Sequence, residues 1–139
     1  MQRSYTWGIV TSLLAVDIGN TNITIGAFDD QELTATWRLA TRETRTIDEH
    51  AWALQGVLRS KNVEPGSFDA VVICSVVPPL TEAYVEALSA LTEIEPLVIG
   101  PGVRTGIRIH YDRTQDVGAD RIVDAVAAHQ LYGGPIIVV

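Results

Sequence analysis

Lysine is almost missing from this 139-residue chain: a single Lys61 stands against nine arginines, within a formal net charge of −7. So acidic a balance argues against binding nucleic acid or an anionic membrane through bulk charge. Cysteine occurs once, at Cys74, so no disulfide forms within the chain. That thiol ends an apolar run and reads as buried, which fits a reducing compartment. Aromatic residues make up only 6%, and no apolar run reaches membrane-spanning length. The apolar residues after Trp7 are interrupted by Thr11 and Ser12 and lead to no small-residue cleavage site, so residues 1–12 read as a short leader and not a signal peptide. His50, His110 and His129 show no ligand spacing, which leaves no zinc site. What the chain does have is 47% apolar residues, enough for the core of one domain.

The stretch that organises the rest is Leu13–Phe28, LLAVDIGNTNITIGAF. Two β-rich runs flank a Gly/Asn cluster, the pattern of a hairpin. An acidic residue, Asp17, closes the first strand. Gly19 is free to take unusual backbone angles, and Asn20, Thr21 and Asn22 are small polar residues beside turn N–H groups. Successive N–H groups in a tight turn form an anion nest. Asp17 would repel a bare phosphate, so a phosphate here implies an intervening cation, most simply Mg²⁺. Taken alone, Gly-Asn-Thr-Asn is better accounted for by an ordinary hairpin turn. The acid after a buried strand is what favours a nucleotide-phosphate loop.

Glu32–Ala40 alternates as a third strand, with Leu33, Ala35, Trp37 and Leu39 on one face. Thr46-Ile47-Asp48-Glu49 is a capping-box signature, opening a helix with a stripe of Ile47, Ala51, Leu54 and Leu58. After Pro65-Gly66, the apolar run Phe68–Ser75 reads as a central strand. Pro79 suits the first turn of a second helix, striped by Leu80, Tyr84, Ala87 and Leu91. Pro96–Ile99 is a brief strand, and Val103–Val117 has no clear assignment. Asp116 is expected to cap a third helix carrying Ile122, Val126 and Leu131 and stopping at Gly133-Gly134. Pro135–Val139 reads as a further buried strand. Four of the arginines, Arg104, Arg108, Arg113 and Arg121, form a local cluster that is either a solvated face or a pocket for an anionic substrate.

The order β-β-β-α-β-α-β-α, led by a phosphate hairpin, describes a ribonuclease H-like α/β domain over 13–134, with 135–139 starting a second one. Proteins of the acetate and sugar kinase, chaperone and actin superfamily build a nucleotide cleft between two such domains. Five blocks in order sharpen the resemblance: Asp17-Ile18-Gly19-Asn20-Thr21-Asn22, Trp37-Arg38, Ser75-Val76-Val77-Pro78, Gly102-Val103-Arg104-Thr105-Gly106 and Val117-Gly118-Ala119-Asp120-Arg121. Together they resemble a type III pantothenate kinase from Leu13 to Val139. The resemblance implies ATP-dependent phosphorylation of pantothenate to 4'-phosphopantothenate, the first committed step toward coenzyme A, in a cytoplasmic homodimer. It places ATP phosphates on Asp17, Ile18, Gly19, Asn20, Thr21, Asn22, Ile23 and Thr24. It places pantothenate on Tyr111, Gly118, Ala119, Asp120 and Arg121, with Asp120 as proton acceptor. A monovalent cation (K⁺ or NH₄⁺) is implied as well, its ligand falling beyond Val139 in a second Asp-x-Gly-Thr loop, so the chain resembles part of a kinase, inactive alone. Asp124 stands where the family commonly has Asn, and Thr114 where it has Pro. Neither is expected to touch the chemistry.

From the residues alone, Asp120 also reads as a helix-end acid paired with Arg121, and Tyr111 as loop packing with a solvated hydroxyl. Two other functions share this pattern. One is a non-catalytic transcription-accessory regulator of the same fold. The other is a ribonuclease H-like nuclease using Asp17 and a second carboxylate on two metals, which the absence of a basic track disfavours.

Overall fold

The computed structural model describes residues 10–100 and 102–139. Three strands lead: β1 (Ser12–Ile18), β2 (Asn22–Asp29) and β3 (Glu32–Ala40). Then come α1 (Ile47–Arg59), β4 (Ala70–Ser75), α2 (Pro78–Thr92), β5 (Leu97–Ile99) and α3 (Ala119–Tyr132). They form one sheet in the order β3-β2-β1-β4-β5. β1 pairs antiparallel with β2 and β2 with β3, while β4 runs parallel to β1 and β5 parallel to β4. This is the ribonuclease H-like arrangement expected from the element order.

Strict alternation gives the sheet two different faces. On one, Leu14, Val16, Ile18, Ile23, Ile25, Val71 and Ile73 are buried against Leu54 and Leu58 of α1 and Leu80, Tyr84 and Leu88 of α2. Each large side chain so buried contributes about 1.5–3 kcal/mol. The other face carries Asp17, Thr24, Gly26 and Cys74, and α3 stands over it. The polar residues of β1 and β2 are therefore on the face that α1 and α2 leave open.

Local signals set the element ends. Thr46 and Glu49 form the reciprocal capping box, with Glu49 N–H donating to Thr46 Oγ1 at 3.3 Å and Thr46 N–H to Glu49 Oε2 at 2.7 Å. Pro78 and Pro79 open α2, where their missing N–H groups cost nothing. The α1 stripe differs from expectation: Ile47 at the first turn is exposed, and His50 is buried in line with Leu54 and Leu58.

Four further differences have structural causes. A bulge between Ala27 and Phe28 shifts the pairing so that Phe28 faces Leu33, which leaves the Ala35–Trp37 face and turns toward Phe28 and Gly26. Asp116 lies in a separate 3₁₀ turn (Thr114–Asp116), two residues short of the position from which a side chain caps; Gly118 is the N-cap and offers none. Leu131 is 74% exposed because α3 buries only its beginning, at Ala119 and Ile122. Residues 135–139 form no ladder and Ile137 is 89% exposed, since no strand among the described residues lies alongside to pair with them.

Most of the expected leader lies outside the described residues. Its last residue, Ser12, belongs to β1, and Thr11 and Ser12 both donate backbone N–H bonds to Asp69 Oδ2, at 3.1 and 3.0 Å. These bonds, with that of the Thr11 hydroxyl, hold the Asp69 carboxyl below its usual range. Between β5 and α3, Val103, Thr105, Ile107 and Ile109 lean inward around a small cavity of about 220 Å³, shared with Ile122. Arg104 and Arg108 alternate with them and are exposed. No helix among the described residues is long and apolar enough to cross a membrane.

Candidate active site

Asp17 is the second-last residue of β1, in register with Thr24 of β2 on one side and Cys74 of β4 on the other. All three side chains point to the open face. There they meet Asp120 and Asp124, one turn apart on α3, around a cleft of about 550 Å³. Phe28, Leu33, Val72, Ile99 and Val123 supply its apolar walls. Residues roughly a hundred positions apart thus share one chamber.

Three carboxylates in one cleft leave an electrostatic signature. The Asp17 carboxyl is raised above its ordinary value, first by partial desolvation and then by the charge of Asp120, with a smaller push from Asp124. A hydrogen bond from the Cys74 thiol opposes that rise. The thiol itself is pushed up to about 12 by burial and by the nearby charges of Asp17 and Asp120. Cys74 is therefore a protonated donor and not a nucleophile.

The turn after β1 is held from several sides. Gly19 N–H donates to Asn22 O at 2.9 Å, and Val76 N–H to Ile18 O at 3.0 Å. A Cβ at position 19 would stand 3.0 Å from Asn22 O, tight enough to make glycine the fitting residue. Ile18 and Ile23 are fully buried, so only their backbone is available to a ligand. Asn20, Thr21, Asn22 and Thr24 are exposed. Among the described residues, the N–H groups of Asn20 and Thr21 have no protein acceptor. The carbonyls of Ile18 and Asn22 at the two ends of the turn are satisfied, while these donors are left over.

Asp120 sits in the first turn of α3, its Oδ1 accepting from the Arg121 N–H at 2.9 Å. A Cβ on Gly118 would stand 2.5 Å from that same oxygen, so a larger residue there would turn the Asp120 carboxylate aside. Ala119 is buried and anchors the turn.

A family model described as type III pantothenate kinase matches residues 13–139. The chain belongs to that family. A type III pantothenate kinase of Dehalococcoides mccartyi (strain CBDB1) is 44% identical over 127 residues, covering 91% of this chain and 48% of the relative. One from a second strain of that species, ATCC BAA-2100, matches at the same 44%. The chain thus spans about half the length of the curated relatives it matches. Among solved structures, a Bacteroides thetaiotaomicron protein with an actin-like ATPase fold is similar at a TM-score of 0.47 and 10% identity, over 63% of this chain and 32% of that one. The ethanolamine utilization protein EutJ of Carboxydothermus hydrogenoformans follows at 0.43 and 15%, over 63% and 44%.

Within this type III pantothenate kinase family chain, the expected site residues divide. Asp17, Thr24 and Asp120 line the cleft; Gly118, Ala119 and the Arg121 backbone shape the turn that carries Asp120. Tyr111 is 60% exposed, and neither it nor the arginines 104, 108, 113 and 121 contribute to the cleft walls. Two cleft residues are not evident from the sequence. Asp124, expected to stay clear of the chemistry, lines the cleft, and its spacing of four from Asp120 on a helix is the available signal. Cys74 reads only as a buried thiol, because the register that sets it beside Asp17 is non-local.

Proposed function

We propose that this chain supplies the first domain, residues 13–134, of a kinase that transfers the γ-phosphate of ATP to pantothenate, yielding ADP and 4'-phosphopantothenate for coenzyme A synthesis. Residues 135–139 would lead into a second domain. The observation that carries the reading is the shared cleft: the phosphate-loop acid Asp17 and the candidate base Asp120 face one another across it.

The N–H groups of Asn20 and Thr21 would take phosphate oxygens, with the side chains of Asn20, Thr21, Asn22 and Thr24 as further contacts. The donor set fits Mg²⁺ carried in with ATP. Asp17 is a hard oxygen ligand whose proton affinity is raised first by partial burial and then by the neighbouring charge of Asp120, which a cation would offset. Among the described residues no group of three or more acids, histidines and cysteines is arranged to hold a metal alone, so phosphate oxygens and water would complete the shell. Bound there, Mg²⁺ supplies neutralisation of triphosphate charge. As the pantothenate hydroxyl oxygen bonds to the γ-phosphorus and the bond to ADP breaks, Asp120 accepts the hydroxyl proton. Gly118, Ala119 and Arg121 hold that carboxylate in place, and Tyr111 would reach pantothenate from the loop before α3. A monovalent cation, K⁺ or NH₄⁺, would be held outside this chain, in a cytoplasmic homodimer.

The test is ATP-dependent phosphate transfer to pantothenate by the full-length protein. Formation of 4'-phosphopantothenate is the expected result. Nucleotide binding with no transfer to pantothenate would overturn the kinase reading and favour a regulator of the same fold.

A further inference from the structure

The loop after β3 carries a residue that neither the motif blocks nor the cleft walls contain. Thr41 follows the last residue of β3, Ala40, which pairs with Asn22 at the start of β2. The side chain and backbone of Thr41 therefore arrive beside the hairpin turn. Its hydroxyl donates to Gly19 O at 2.7 Å, and its N–H donates to Thr21 O at 2.9 Å. One residue thus holds two of the turn's carbonyls.

In a trans peptide the carbonyl oxygen and the following N–H point in opposite directions across one rigid plane. The Gly19–Asn20 bond is trans, as the one cis peptide among the described residues is Gly134–Pro135. Tying Gly19 O to the Thr41 hydroxyl therefore fixes where the Asn20 N–H points, and that N–H has no protein acceptor. The Thr41 N–H fixes the next peptide but one in the same way, through Thr21 O. A donor frozen in direction before the ligand arrives loses less entropy on binding than one that must be ordered.

We propose that Thr41 is the positioning residue of the phosphate loop, its hydroxyl aiming the Asn20 N–H at a nucleotide phosphate. The proposal rests on the phosphate-loop reading above and adds a residue to it. Thr41 touches no reacting atom; it acts through the Gly19–Asn20 peptide.

Thr41→Val keeps the branched shape and the backbone N–H and removes only the hydroxyl, whereas Thr41→Ser keeps the hydroxyl. Binding of the Mg²⁺ complex of β,γ-imido-ATP, measured by calorimetry on the full-length protein, is expected to weaken about 5–10-fold in Thr41→Val. Thr41→Ser should stay within about twofold of the parent, and the KM for pantothenate should be unchanged in both. In the ligand-free protein, the order parameter of the Asn20 N–H should fall in Thr41→Val from about 0.85 to below about 0.6. Parent-like nucleotide binding and order in Thr41→Val would overturn the proposal. So would an equal loss in Thr41→Ser, which would make the role one of packing. If Thr41→Val fails to fold, the same measurements on Thr41→Ala support or overturn the proposal in the same way. Should the parent protein bind nucleotide without phosphorylating pantothenate, the proposed activity falls, while the Asn20 order parameter still decides the role of Thr41.

Discussion

A carboxylate that takes a proton during phosphoryl transfer affects turnover and leaves the nucleotide's grip alone. In Asp120→Asn the shape of the α3 first turn is kept and the proposed base is lost, so kcat should fall by about 10²-fold or more with ATP affinity nearly unchanged. Steady-state kinetics with ATP binding measured separately check this; a collapse of ATP affinity would move Asp120 to the nucleotide side. His50 makes a different residue-scale case. It is 1% exposed, its ring packed against Tyr84 at 5.0 Å, and neither ring nitrogen has a hydrogen-bond partner among the described residues. Burial, helped by the nearby Arg45, holds its proton affinity below the ordinary 6.5, against a smaller opposing pull from Glu49. The unfolded chain therefore binds a proton at His50 before the folded one does. Stability is expected to be fully present above about pH 6.5 and to decline as pH falls below it. Urea unfolding at pH 8 and pH 5 reads the decline. His50→Leu, which also removes two unpaired buried nitrogens, should lessen it and add about 1 kcal/mol at pH 5.

At the scale of the element, the capping box of α1 shows what a sequence states openly. Thr46→Ala removes the acceptor for the Glu49 N–H and should cost about 1 kcal/mol in chemical denaturation, with the fold retained. That box, the proline start of α2 and the Gly-rich hairpin are legible because each is written in neighbouring residues. The features that are not legible depend on something distant. Leu33 changes face because β3 carries one extra residue, Thr34, opposite Ala27–Phe28 of β2, and Asp116 misses its capping role because Gly118 sets the start of α3. Residues 135–139 have a strand's composition but no neighbour. Strand character is a property of pairs, so apolar residues alone do not create it.

Over the whole molecule, the open face of the sheet is what the candidate site depends on. α1 and α2 cover the centre of one face, and α3 touches the other only through its first turns, which leaves the cleft over Asp17 open. The motif blocks make Asp17 and Asp120 recognisable one by one. Their meeting, with Cys74 and Asp124 beside them, follows from sheet order and helix placement, which no single stretch of chain encodes. Phosphoryl transfer needs the acceptor in line with the γ-phosphate and water excluded from between them. The cleft between the sheet and the start of α3 stays open to solvent here, in a chain covering 48% of a kinase relative. The 139-residue chain by itself is therefore expected to yield no detectable 4'-phosphopantothenate from ATP and pantothenate, even where the full-length protein turns over. Robust turnover by the short chain would show that the residues of this open cleft suffice to hold both substrates in line.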